Sequence, residues 1–158
     1  MSSHIDPDSF GFLVSDIARL FRAGIDRRVG EAGLGLTAGE GRALAQAARA
    51  GPVRQNVLAE RMGVEAMTLS AYLDRLEARG LIERVPDPTD RRAKLVRLAP
   101  SADAMLAAIA PISAAMRAEA SAGIEPEDWK SLLFMLKTVR SNLSAAKAEM
   151  STRERPET

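Results

Sequence analysis

The chain has 158 residues, 22 lysines and arginines against 21 aspartates and glutamates, one histidine, no cysteine, and 46% hydrophobic residues of which few are aromatic. That length suits one domain able to bury a core, while the absence of cysteine and the single histidine, His4, remove disulfides, thiol nucleophiles, cysteine-based redox sensing and Cys/His metal sites. The net charge of +1 excludes a uniformly basic coat for nucleic acid, and with no apolar run near the roughly 20 residues of a membrane span and no signal-peptide pattern, the expected location is the cytoplasm.

Asp6-Pro7 opens the first helical pattern, since Asp caps free amides and Pro suits the first helical position. Leu13, Ile17, Leu20, Phe21, Ile25 and Val29 then recur at helical period as far as Gly33 and Gly35. Thr37 and Glu40 fit a capping box that starts a second helix, ended by Gly51-Pro52. Residues 55–62 and 65–79 predict two more helices, separated at Gly63 and stopped at Gly80. Leu81–Val85 and Lys94–Leu98 are branched, strand-like runs joined by the turn-forming residues 86–90, a hairpin with a charged tip. Met105, Ile109, Ile112 and Met116, then Leu132, Leu136, Val139 and Leu143, form narrow apolar seams of two final helices. Pro111 predicts a kink in the first of these, and Pro126 with Glu127 and Asp128 marks the start of the second. The expected organisation is an N-terminal helix over 8–33, a lobe over 37–98, C-terminal helices over 101–147 and a disordered tail over 148–158.

Function is concentrated in the middle third. Leu58, Ala59 and Met62, Gly63 in the turn, Val64, then Leu69, Tyr72 and Leu73 give the pattern of a helix-turn-helix: a small residue at the crossing, a tight bend, and apolar positions locking the second helix. By itself the pattern also suits an unrelated helical hairpin. The hairpin that follows favours the winged form, because residues 84–97 carry five basic side chains against Asp87 and Asp90. The fold class expected is mainly α with a small β-hairpin wing.

Leu36-Thr37, Leu58-Ala59-Glu60-Arg61-Met62-Gly63-Val64, Leu73-Asp74-Arg75-Leu76-Glu77, Gly80-Leu81-Ile82-Glu83-Arg84 and Asp87-Pro88-Thr89-Asp90-Arg91-Arg92-Ala93-Lys94 resemble the MarR family of bacterial transcription regulators over residues 8–147. The resemblance implies a cytoplasmic, nucleoid-associated homodimer whose first and last two helices interlace, carrying two winged lobes onto a pseudo-palindromic double-stranded operator, and a repressor released by a small aromatic or phenolic effector. The seams themselves suggest a partner: Leu13, Ile17, Phe21, Ile112, Met116, Leu132, Leu136, Val139 and Leu143 exceed what one small lobe covers, the alternative being a monomeric helical bundle.

In the recognition helix, Leu69, Leu73 and Leu76 form the buried face. Ala66, Met67, Thr68, Ser70, Ala71 and Arg75 are left to meet DNA: hydroxyls for phosphates or base edges, apolar groups for thymine methyls. The family often has Ser or Arg where this chain has Ala66 and Ala71. Arg75 has a rival role in pairing with Asp74, Glu77 or Glu83, and Tyr72 is read as a core residue. The resemblance sends Arg92 into a minor groove with the Asp90 carboxylate holding it, while Arg91 and Lys94 suit phosphates and Arg54, Gln55 and Asn56 reach the backbone near the start of the third helix. Phe10, Phe12, Leu13, Phe21 and Met105, with Arg19 and Arg22, are available to an effector or simply to core and surface. No nucleophile–base pair, phosphate loop or metal set appears, so neither enzyme activity nor a cofactor is expected. A winged-helix protein-interaction module without DNA binding is the alternative.

Overall fold

The structure, a computed structural model, describes residues 6–153, so His4 and residues 154–158 lie outside the described part. The order is α1 (Phe10–Glu31), α2 (Ala38–Ala50), β1 (Val53–Arg54), α3 (Gln55–Met62), α4 (Ala66–Ala78), β2 (Ile82–Asp87), β3 (Asp90–Leu98), α5 (Ala102–Ala120) and α6 (Pro126–Arg153). The described chain divides into a unit ending at Met116 and one starting at Arg117.

Local chemistry accounts for most of these boundaries. The Thr37 hydroxyl accepts from the Glu40 amide at 3.3 Å and the Glu40 carboxylate accepts from the Thr37 amide at 3.0 Å, so two donors at the start of α2 are satisfied reciprocally. α3 ends at Gly63, whose φ of 63° and ψ of 39° lie in the left-handed region that suits a residue without Cβ. Asp6-Pro7 does not cap α1 as expected. The Asp6 carboxylate instead accepts from the Asp8 amide at 2.9 Å, a local turn that spends the cap before the helix begins after Ser9. At the other end α6 runs to Arg153, so residues 148–153 are helical where a tail was expected.

The sheet has three strands, not two, in the order β1-β3-β2 and antiparallel throughout. β1 pairs Val53 with Val96 and Arg54 with Leu95; two residues are too short to show alternation in a sequence. The core of this unit unites the α2, α3 and α4 helices with the sheet and α5 through Leu44, Leu58, Leu69, Leu73, Leu76, Ile82, Val96 and Ile109, all buried. Fully burying each such side chain stabilises by about 1.5–3 kcal/mol. In the second unit, α6 keeps Trp129, Leu132 and Val139 half-buried and its other described side chains exposed.

Candidate nucleic-acid interface

The start of α3, the start of α4 and the β2–β3 wing surround one cleft of about 450 Å³, lined by Arg54, Gln55, Asn56, Ala66, Asp90, Arg92, Ala93 and Lys94. Eight scattered positions thus share a wall because α3 and α4 cross at Gly63 and β1 ties the entry of α3 to the central strand. Met67 and Thr68 are exposed on the first turns of α4, with Ser70 and Ala71 half-buried behind them. Arg91, Arg92 and Lys94 are exposed and form no ion pair among the described residues.

The wing is shaped by a bulge and a buried carboxylate. Pairing passes from Pro86↔Lys94 directly to Asp87↔Asp90, so Arg91, Arg92 and Ala93 are extra residues on β3 and project as a loop of the strand. Asp90 does hold Arg92, but through its main chain: the carboxylate accepts from the Arg92 amide at 3.1 Å, which sets the backbone and leaves the guanidinium outward. Asp87, only 5% exposed, accepts from the Thr89 amide at 2.8 Å, the Thr89 hydroxyl at 2.7 Å and Arg54 Nε at 2.6 Å. Those three donors, the Thr89 amide foremost, hold its carboxyl at about 2, below the ordinary 3.8. Arg54 also donates to the Thr89 hydroxyl at 3.2 Å, so the structure gives it a bracing role in the wing in place of a free reach toward phosphate. The sequence places Asp87 and Thr89 in the turn and the wing motif, but not their bond to Arg54, since the partner lies 33 residues away.

On α4 the charged side chains are engaged. Arg75 pairs with Glu40 of α2, a carboxylate 4% exposed, and its guanidinium lies 5.8 Å from the Tyr72 ring centroid. The expected rivals Asp74, Glu77 and Glu83 are taken elsewhere: Arg84 binds Asp74 at 2.7 Å and Glu77 at 2.6 Å, and Arg97 binds Glu83 at 2.7 Å. Positions one and two residues along a helix do not face each other, so Arg75 turns to a neighbouring helix. Burial raises the Glu40 carboxyl, but the Thr37 amide and Arg75 outweigh it and the net shift is downward. Glu77 is lowered chiefly by Arg84, which is raised in turn. Tyr72 is half-buried and packs on the core.

Of the seam residues, Leu13, Ile17 and Phe21 are exposed on α1, Leu136 and Leu143 are exposed on α6, and Leu132 and Val139 are half-buried there. Met116 departs from the expectation. It is buried at 8%, its sulfur accepting from the Arg28 guanidinium, while Ile112 is half-buried against the chain's own core. Phe10 and Phe12 are exposed, Met105 packs on the core, and Arg19 pairs with Asp16 at 2.8 Å. A shallow concavity of about 500 Å³ on α1 is lined by Ser15, Ala18, Arg19, Arg22, Ala23 and Asp26, without the phenylalanines.

Residues 36–94 match the MarR family model, a span that holds α2, α3, α4 and most of the wing. Among solved structures, a probable transcriptional regulator from Pseudomonas aeruginosa is 30% identical, with 84% of this chain and 97% of that one covered at a TM-score of 0.60. A MarR-family transcriptional regulator from Silicibacter pomeroyi is 26% identical, with coverage of 90% and 95% and a TM-score of 0.74. A structure described as MarR is 26% identical, with coverage of 93% and 99% and a TM-score of 0.76. Helix order, the three-stranded wing and these likenesses agree: the chain is a transcriptional regulator of the MarR family.

Proposed function

We propose that the chain acts in the bacterial cytoplasm as a homodimer that binds a pseudo-palindromic double-stranded operator, represses from it, and is released by a small aromatic or phenolic anion. The observation that carries the reading is the cleft between α4 and the wing, where Arg92 and Lys94 face the N-terminal turns of a helix already locked on its other side. α4 would enter a major groove, Arg92 the adjacent minor groove, and Arg91, Lys94, Gln55 and Asn56 would meet the sugar-phosphate backbone. Arg54 would act through the wing. Pairing of two copies is supported by the apolar side chains left outward on α1, where Ile17 is 63% exposed, and on α6, where Leu143 is 62% exposed. Two-fold symmetry would then set the recognition helices about 34 Å apart, one turn of DNA.

The test is capture of genomic fragments by the purified chain, followed by titration at rising salt. Each phosphate contact releases counterions, so log affinity should fall linearly with log salt, by about 0.9 per contact. Retention of no duplex, or association indifferent to salt, would overturn the reading in favour of a winged protein-interaction module.

A further inference from the structure

We propose that α4 reads its half-site through thymine methyl groups, with Met67 as the specificity-determining residue and Ala71 beside it; this rests on the DNA-binding reading above. The commonest specific base contact is an arginine or lysine on guanine, which needs a free cation on the recognition helix. α4 has none to spare. Arg75 is committed to Glu40, and withdrawing it would strand a carboxylate that is 4% exposed. Arg79, the residue that ends the helix, donates to the carbonyl oxygens of Gly35 and Leu34.

On the first turns of α4 the large side chain offered outward is apolar. Leu69, Leu73 and Leu76 define the buried face, and opposite it stands Met67, 86% exposed, with Ala71 following one turn later. Met67 is the most exposed of the large hydrophobic residues described. An unbranched thioether adapts to an uneven surface, and the alanine brings the helix backbone close to the base edges. In the major groove thymine alone presents a methyl group. The Thr68 and Ser70 hydroxyls flank this stripe but donate and accept alike, so they discriminate little. Attraction to the duplex then comes from the wing, and base choice from methyl burial.

The test uses a duplex selected by the purified full chain from a random pool, resynthesised with deoxyuridine in place of thymidine one position at a time. At one or two positions in each half-site, loss of the methyl should weaken wild-type binding about fourfold, the worth of one buried carbon. Met67→Ala, at an exposed site that does not threaten folding, should bind the thymine and uracil duplexes alike, with its salt dependence unchanged. Uracil throughout with no loss overturns the proposal while leaving DNA binding intact, as does a thymine preference that survives undiminished in Met67→Ala. Failure to select any duplex overturns the DNA-binding reading itself.

Discussion

Asp87 and Glu40 are the two buried carboxylates of the winged lobe, and each joins segments far apart in the chain: Arg54 to the wing tip, Arg75 to the start of α2. Their donors favour the ionised form in the folded state, which places both below their ordinary values of 3.8 and 4.5. A group depressed on folding contributes stability that is fully present above its unfolded value and fades as pH falls through its folded one. For Asp87 that window runs from 3.8 down to about 2. Asp87→Asn is therefore expected to be less stable than the wild type at neutral pH, and the gap should close between those two values. Urea midpoints measured at pH 7 and at successive steps below pH 4 check this; a gap of constant size would mean that the ionised carboxylate is not the stabilising species.

At the scale of elements, the approach of α2 to α4 depends on Gly39. A Cβ placed there would overlap the Tyr72 ring, so the aromatic residue and the glycine are a fitted pair. Helix propensity alone favours Gly39→Ala by roughly 1 kcal/mol, yet the overlap should reverse the sign and destabilise by about 1–3 kcal/mol. Thermal unfolding should show the loss, and Tyr72→Leu should relieve it. If Gly39→Ala is stabilising with Tyr72 in place, the packing of α2 on α4 is wrong. The wing depends on a different device, the bulge that puts Arg91 and Arg92 outside the β2–β3 ladder. Arg92→Ala should weaken operator binding by about 1–3 kcal/mol, whereas Lys94→Ala should weaken all duplexes evenly and lower the salt slope by about 1. Unchanged titrations for both would remove the wing from recognition.

The whole molecule leaves apolar surface that its own fold does not cover. Phe134 on α6 is 71% exposed, Leu136 42% and Leu143 62%; on α1, Leu20 is 60% exposed and Phe10 56%. Surface of this kind is what the proposed pairing would bury, and closed two-fold symmetry is the commonest arrangement for it. A charge on α6, Leu136→Glu, should split the proposed dimer and abolish cooperative operator binding. Sedimentation velocity decides: an equally tight dimer in the variant would move the interface elsewhere. Met116 adds little to that surface, because it is buried within the chain against Arg28.

Signals carried by residues a few positions apart were legible in the order of amino acids: the helical periods, the Thr37/Glu40 capping box, the bend at Gly63, and the charged hairpin with its Asp-Arg-Arg run. Each depends on backbone geometry within one turn, so neighbours suffice to determine it. Folding alone decided which charges remain available. Arg54 finds Asp87 33 residues away and Arg75 finds Glu40 35 residues away, and both pairs exist only because packed helices and a two-residue strand bring distant segments together. Met116 likewise turns inward although its spacing matches an exposed seam. Periodicity shows that a helix has an apolar face; what covers that face depends on the three-dimensional arrangement of the rest of the chain.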